Sequence, residues 1–210
     1  MNTRVFLRDL IPAVLFVAGL LAAGSPSVAQ DAMKHCPIDK DEAQSIKCPN
    51  PDGPLRSVQA GAPQRFAFCS LCRHSWSGIE LEAGKTYRIQ IIGDPERWRD
   101  GRIPLETRAK ALNGFRKPSE AMDLPWWSAW FYDGLLKLFE GSRPVPDANW
   151  FQPFGAVSGA GGAESPPQAL TEAGEFEADR TGELFMFVND HPKYYDNNSG
   201  RMILEISLAN

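Results

Sequence analysis

The sequence predicts an all-β fold, an antiparallel β-sandwich, and three observations predict it. Short segments with period-two apolar alternation recur in two groups, one following Phe66 and one following Phe176. Turns rich in Gly, such as Ala83-Gly84-Lys85, separate them. Long helices do not alternate with the strands, which argues against a parallel α/β sheet.

The elements follow in chain order. Residues 1–29 read as a secretory signal peptide: Arg4 and Arg8 precede the apolar run "IPAVLFVAGLLAAG", and Ser27-Val28-Ala29 offers small residues before a cut after Ala29. That run is short for a membrane span, so no transmembrane segment is expected once the signal is removed. The destination is periplasmic or secreted. About 180 residues remain, enough for one domain. The whole chain carries a net charge of -4. This mild acidity argues against a nucleic-acid partner, which would need a basic face.

Residues 30–65 read as an irregular, Cys-containing N-terminal segment, with turn formers in "KCPNPDGP" and "AGAPQ". The sandwich is expected over 66–210. "RFAFC" is a strand. "WSGIELEAGKTYRIQIIG" holds two strands about the turn at 83–85. "GEFEADRTGELFMFV" holds two more about "DRTGE". "RMILEISLA" closes the chain with Met202, Leu204, Ile206 and Leu208 on one face. The stretch 155–168, "GAVSGAGGAESPPQ", reads as a flexible low-complexity loop.

Residues 102–149 form a helical, Trp-rich insertion. "PLETRAKALNG" predicts a short helix ended by Asn113-Gly114. "MDLPWWSAWFYDGLLKLFEG" predicts a second, with Asp123 as N-cap, Pro125 in the first turn and Gly141 as the stop. Leu124, Trp127, Phe131, Leu135 and Leu138 keep helical spacing, and Trp126 and Trp130 widen the stripe. The expectation is a face packed across one opening of the sandwich. The other reading is an exposed aromatic surface for stacking on sugar rings or docking a partner.

Cys36, Cys48, Cys69 and Cys72 are the four cysteines. In an oxidising compartment they predict two disulfides, with three possible connectivities. Proximity favours Cys36–Cys48 with Cys69–Cys72. The rival is a metal site in "CSLCRH", with His74, and His35 as a further ligand. A thioredoxin-like pair lacks its βαβ context.

The loop "VNDHPKYYDNNSG" (188–200) is the densest collection of chemistry. It concentrates amide and carboxylate oxygens between two strands, and hard cations such as Ca²⁺ take six to eight oxygens. Asp190, Asn197 and Asn198 can supply them, a backbone carbonyl from the bend can add another, and Gly200 lets the chain leave sharply. An EF-hand is excluded, because Arg201 and Ser207 fall where that loop needs Gly and Glu. The plain alternative is a set of turn formers bonded to their own backbone.

The spacing Asn189, Asp190, Pro192, Tyr195, Asn197, Asn198, Ser199 and Gly200 resembles the calcium loop of the bacterial PA-I-type galactose-binding lectins. "WSGIELEAGKTYRIQIIG" and "FGAVSGAGG" resemble the strands of that family more loosely. The resemblance covers 76–100 and 150–210. It implies a galactose-binding-like jelly roll. It also implies Ca²⁺ held by the side chains of Asp190, Asn197 and Asn198 and by the Tyr194 carbonyl, with one more carbonyl from 93–101, near Trp98. Carbohydrate is the implied partner, a galactose-like sugar among the candidates. The His- and Gln-rich sugar-contact loop of the family has no counterpart here, since the insertion occupies its interval. Galactose specificity is therefore not implied.

The function expected is that of an exported, calcium-dependent, lectin-like protein. Asp190, His191, Asn197, Asn198 and Trp127 are the candidate ligand contacts. The alternative is an envelope interaction module in which any calcium is structural. No enzyme is expected. The three histidines, His35, His74 and His191, and scattered carboxylates such as Glu80, Glu82 and Glu106 form no acid–base or nucleophilic constellation.

Overall fold

A computed structural model describes residues 36–39, 41, 48, 54–122 and 124–209. The first strands are β1 (Arg56–Ser57), β2 (Gln64–Cys69), β3 (Ser75–Leu81), β4 (Thr86–Asp100) and β5 (Ile103–Pro104). After the insertion come β6 (Pro153–Gly159), β7 (Gln168–Ala169), β8 (Glu175–Glu177), β9 (Gly182–Val188) and β10 (Asn198–Leu208). One sheet has the order β1-β3-β9-β6-β7. The other runs β2-β10-β4-β5, with β8 paired to the start of β4. Pairing is antiparallel throughout except between β1 and β3. The sandwich expected from alternation is present.

Alternation decides which side chains fill it. Met202, Leu204 and Ile206 of β10 are buried, while Arg201, Ile203, Glu205 and Ser207 on the other face stay partly exposed. In β4, Ile89 lies opposite Ile206 and Ile91 opposite Leu204. These residues join Phe66 and Phe68 of β2, and Ile79, Leu184 and Met186 from the opposite sheet, in one core. Full burial of each such side chain contributes about 1.5–3 kcal/mol.

β4 does not stop at Gly93 but continues to Asp100. The cause is β10, which pairs with it as far as Asn198 opposite Asp100, through register shifts at Ser199–Arg201 and Arg201–Ile203. Gly93, at φ 78°, absorbs the irregularity without ending the strand. The 155–168 stretch is likewise not all loop: 155–159 belongs to β6, buried at Gly155–Val157 and paired to β9.

The insertion carries α1 (Arg108–Asn113), α2 (Pro118–Ala121) and α3 (Trp126–Lys137). The Thr107 hydroxyl caps α1 by accepting from the Lys110 amide at 3.3 Å. Gly114 ends α1 at φ 59°, where a Cβ would meet the Trp150 carbonyl at 2.0 Å. The expected Asp123 cap lies outside the described residues, as do the signal segment and His35. Pro125 directly precedes α3, and the helix ends at Lys137, short of Gly141. The predicted face of α3 is not packed. Trp126, Trp127, Trp130, Phe131, Leu135 and Leu138 are exposed, and α3 rests on the protein through Ser128, Ala129, Asp133 and Leu136. The Ser119 hydroxyl and amide of α2 donate to Asp133 at 2.6 and 3.1 Å, which holds that polar side inward. Of the two readings, the exposed aromatic surface is the one found.

The disulfides are Cys36–Cys69 and Cys48–Cys72, not the sequential pairs favoured by proximity. Cys69 ends β2 and follows the outward alternation of Ala67, so it meets Cys36 in a small cluster beneath Ile203 on the outer side of the sheet. All four thiols are consumed, which removes the ligands of the metal reading. His74 instead packs edge-on against Trp76 and Phe185. Disulfides of this kind suit an oxidising compartment. Among the described residues, no helix is long and apolar enough to cross a membrane.

Each cross-link closes a loop, of sequence separation 33 and 24. Chain entropy then assigns about 3–4 kcal/mol to each. Non-reducing peptide mapping should recover Cys36 joined to Cys69 and Cys48 joined to Cys72. The Cys36→Ala/Cys69→Ala variant should lose about 2–5 kcal/mol of stability in denaturant titration.

Candidate functional site

The 188–200 loop is built by its neighbours. Asn189 is fully buried. Its Nδ2 donates to the Val145 and Asn149 carbonyls at 2.8 and 3.0 Å, and its Oδ1 accepts the Val145 amide at 3.0 Å. Every polar atom of that amide is used to join the loop to the end of the insertion, so Asn189 is a strut. The Tyr195 hydroxyl, also buried, donates to the Val188 carbonyl and closes the loop on itself. Burial pushes its pKa up, with the negative charge of Asp190 adding to the effect. Arg73 donates to the Pro192 carbonyl from the β2–β3 turn.

Gly200 has a more specific task than leaving the bend. It lies inside β10 at φ 104°, and a Cβ there would meet the Arg97 carbonyl oxygen at 2.4 Å. Its carbonyl accepts from the Ser70 amide and hydroxyl, and its amide donates to Ile38. The irregular pairing of β10 with β4 therefore needs glycine here.

These supports bring Asp190, Asn198 and Asp100 together. Asp190 is 3% exposed and Asn198 1%. Asn198 Nδ2 donates to Asp190 Oδ2 at 3.0 Å and to the Ser70 carbonyl at 3.3 Å. Both partners are acceptors, which fixes the orientation of the amide. Its Oδ1 is then left buried with no hydrogen-bond partner. Leaving such an acceptor unmet costs about 1–3 kcal/mol. Asp190 Oδ1 accepts the His191 amide at 2.6 Å.

Asp100 is opposite Asn198 in the β4–β10 register. Desolvation, with repulsion from Asp190, pushes its carboxyl up to about 8. Burial also raises the Asp190 pKa, against the opposing hydrogen bonds from Asn198 and the His191 amide. Two carboxylates that disfavour ionisation beside an unmet amide oxygen form an oxygen-only donor set. Such a set fits a hard divalent cation, whose charge answers both carboxylates and whose coordination answers the amide. Among the described residues no three His, Cys, Asp or Glu side chains gather, so the donors here are two carboxylates and an amide, with the exposed Asp196 near enough for its charge to raise the Asp190 pKa further.

The other predicted residues are placed around this centre. Asn197 is exposed beside Gly101, where a Cβ would lie 3.9 Å from its Nδ2. The Tyr194 carbonyl accepts the Asn197 amide at 3.0 Å and keeps a second lone pair. His191 Nδ1 accepts the Lys193 amide at 3.1 Å, and its ring packs with Tyr194 and Phe139 at centroid distances of 4.9 and 5.2 Å. Trp127 is not brought to the loop. It faces solvent from α3, and Phe139 is the insertion side chain whose ring meets the loop's rings. The Trp98 side chain sits in the core between Phe68 and Phe151, and its carbonyl accepts the Leu105 amide at 2.8 Å. Two residues on, Asp100 lies opposite Asn198 and close enough for its charge to be felt by Asp190. No period marks Asp100 in "RWRDGR". The one available signal is that it is a carboxylate in 93–101, where a further ligand is expected.

No protein-family model and no curated protein sequence matches the chain.

Two substitutions test the supports. Gly200→Ala should cost about 2 kcal/mol or more, because a methyl at positive φ meets fixed backbone. Asn189→Ala should cost about 1–3 kcal/mol, by leaving the half-buried backbone groups at 145 and 149 unpaired. Thermal melts read both, and unchanged melts would refute the strut assignment.

Proposed function

We propose that the protein is an exported, calcium-dependent carbohydrate-binding protein on a galactose-binding-like jelly roll. The observation that carries this is the buried, partnerless Asn198 Oδ1 beside Asp190 and Asp100, within the loop whose spacing resembles the PA-I-type lectins. Asp190, Asn197, Asn198 and the Tyr194 carbonyl would hold the ion, with Asp100 as an added carboxylate. A bound Ca²⁺ supplies coordination positions that vicinal sugar hydroxyls can fill. The exposure of Asn197 puts one side of the site toward solvent, and the Phe139–His191–Tyr194 rings stand beside it as a surface for the apolar face of a sugar. The signal-like N-terminus and the disulfides support a periplasmic or secreted location.

A second reading has its own observation. Asp190 and Asn198 are almost completely buried, which suits an ion that only braces the loop in an envelope interaction module. Sugar binding separates the two.

A ligand bound only by the folded state adds about 2.7 kcal/mol at a hundredfold excess over Kd. Calcium should therefore raise the melting temperature by about 5–10 °C, reversed by chelator. Asp190→Ala and Asn198→Ala should abolish that response and, on a glycan array, all calcium-dependent binding. Asp100→Asn should melt close to wild type in chelator yet lose most of the calcium response, since the amide matches a carboxyl held largely protonated without the ion but cannot supply a charged ligand to it. Glycan binding that persists in chelator and in Asp190→Ala would overturn the ion-bridged mechanism. Calcium binding without any glycan would favour the structural ion.

A further inference from the structure

The aromatic face of α3 has polarity reversed from that of a packed surface helix. Such a helix ordinarily turns its apolar stripe inward. Here Ser128 is buried and Asp133 is held by Ser119, while Trp126, Trp127, Trp130, Phe131, Leu135 and Leu138 face out, Trp126 at 85% exposure. At 100° per residue these six fan over about half the circumference. A helix that enters a protein groove presents a narrower row of anchors at i, i+3, i+4 and i+7. A half-cylinder of Trp, Phe and Leu matches a flat, soft partner, and Trp is the side chain favoured where an apolar layer meets a polar one.

Charge points the same way. The chain as a whole is acidic at -4. Yet residues 102–117 hold five cationic side chains, Arg102, Arg108, Lys110, Arg116 and Lys117, against the single carboxylate of Glu106, which pairs with Arg99. All five are exposed, and none has a carboxylate partner among the described residues. Arg116 and Lys117 lead directly into α2, which packs on α3. Lys137 is the charged residue on the exposed side of α3 itself. Arg116, Lys117 and Lys137 thus lie on or next to the elements that carry the outward aromatic face, with Glu120 and Glu140 as the exposed carboxylates near them, in a protein whose net charge is negative.

We infer that α3 and the basic segment before it form a docking surface for an anionic lipid bilayer, on which the helix lies in the interface plane. Twelve residues do not span a bilayer, but they suffice to lie on one. The aromatic face enters the headgroup boundary, and the cations meet the lipid phosphates. The surface involves none of the residues of the 188–200 loop.

Flotation with vesicles of phosphatidylcholine alone, and of phosphatidylcholine with phosphatidylglycerol, tests this. Both are run in chelator with the disulfide-bonded protein. The expected result is binding to the anionic vesicles with a blue shift of Trp emission, weakened by salt. Trp127→Ser/Trp130→Ser changes exposed positions, so its melt should match wild type while its vesicle affinity falls by about tenfold or more. Arg116→Glu/Lys117→Glu should weaken binding to anionic vesicles by a similar factor. Absence of binding to either vesicle, or equal binding by the Trp variant, overturns the inference. So does a concentration-dependent dimer in sedimentation equilibrium that the Trp variant abolishes, since the face then belongs to a second copy of the chain.

Discussion

The structure depends on the pairing of β10 with β4. β10 lies between β2 and β4, so the end of the chain is held on both sides by its beginning. Pairing extends to Asn198 opposite Asp100 only because the ladder tolerates two register shifts and a glycine at φ 104°. An uninterrupted ladder would keep strict alternation and would send successive side chains to fixed faces. The irregular end instead sets the buried Asn198 amide opposite the half-buried Asp100 carboxyl, from residues almost a hundred positions apart. Core and site are two ends of the same ladder. The regular end buries Leu204 and Ile206, and the irregular end gathers the oxygens.

The insertion complements this arrangement by holding the far side of the loop. Asn189 bonds to Val145 and Asn149. Phe115, just after α1, pairs with Trp150 at the end of the insertion, and Arg143 lies 4.5 Å over the Trp150 ring with its guanidinium donating to local carbonyls. The base of the insertion is thus tied into the sandwich, while α3 presents its aromatic side chains to solvent. Rigid base and exposed top can be changed separately, which is why substitutions on the helix surface should leave the loop intact.

Much of the fold was legible in the sequence, because it rests on local periodicity. The alternation at 201–208 named the right inward face, and Asn113-Gly114 marked the true end of α1. What failed was information carried by partners. Spacing in α3 identified an apolar face correctly, but spacing cannot say whether anything covers it. Gly93 looked like the end of a strand because a glycine's backbone freedom reads alike in a turn and in a bulge. The site divided in the same way. Asp190 and Asn198 share one loop and could be paired on sequence, whereas Asp100 reaches them only through strand register. The disulfides failed for a related reason, since the outward alternation of β2, not chain proximity, sets where Cys69 points.

The disulfide pattern has a consequence for the order of assembly. The bridges interleave, first cysteine to third and second to fourth. A chain that enters an oxidising compartment N-terminus first exposes Cys36 and Cys48 before Cys69 and Cys72 have arrived. Oxidation in order of arrival would join the first two, and the native pairing would then be reached by thiol–disulfide exchange through mixed intermediates. The formation of β2 supplies the discrimination, because only the folded strand end holds Cys69 against Cys36. Maturation of this protein should therefore be paced by reshuffling of its thiols, and a host that oxidises quickly but isomerises poorly should yield a large mispaired fraction.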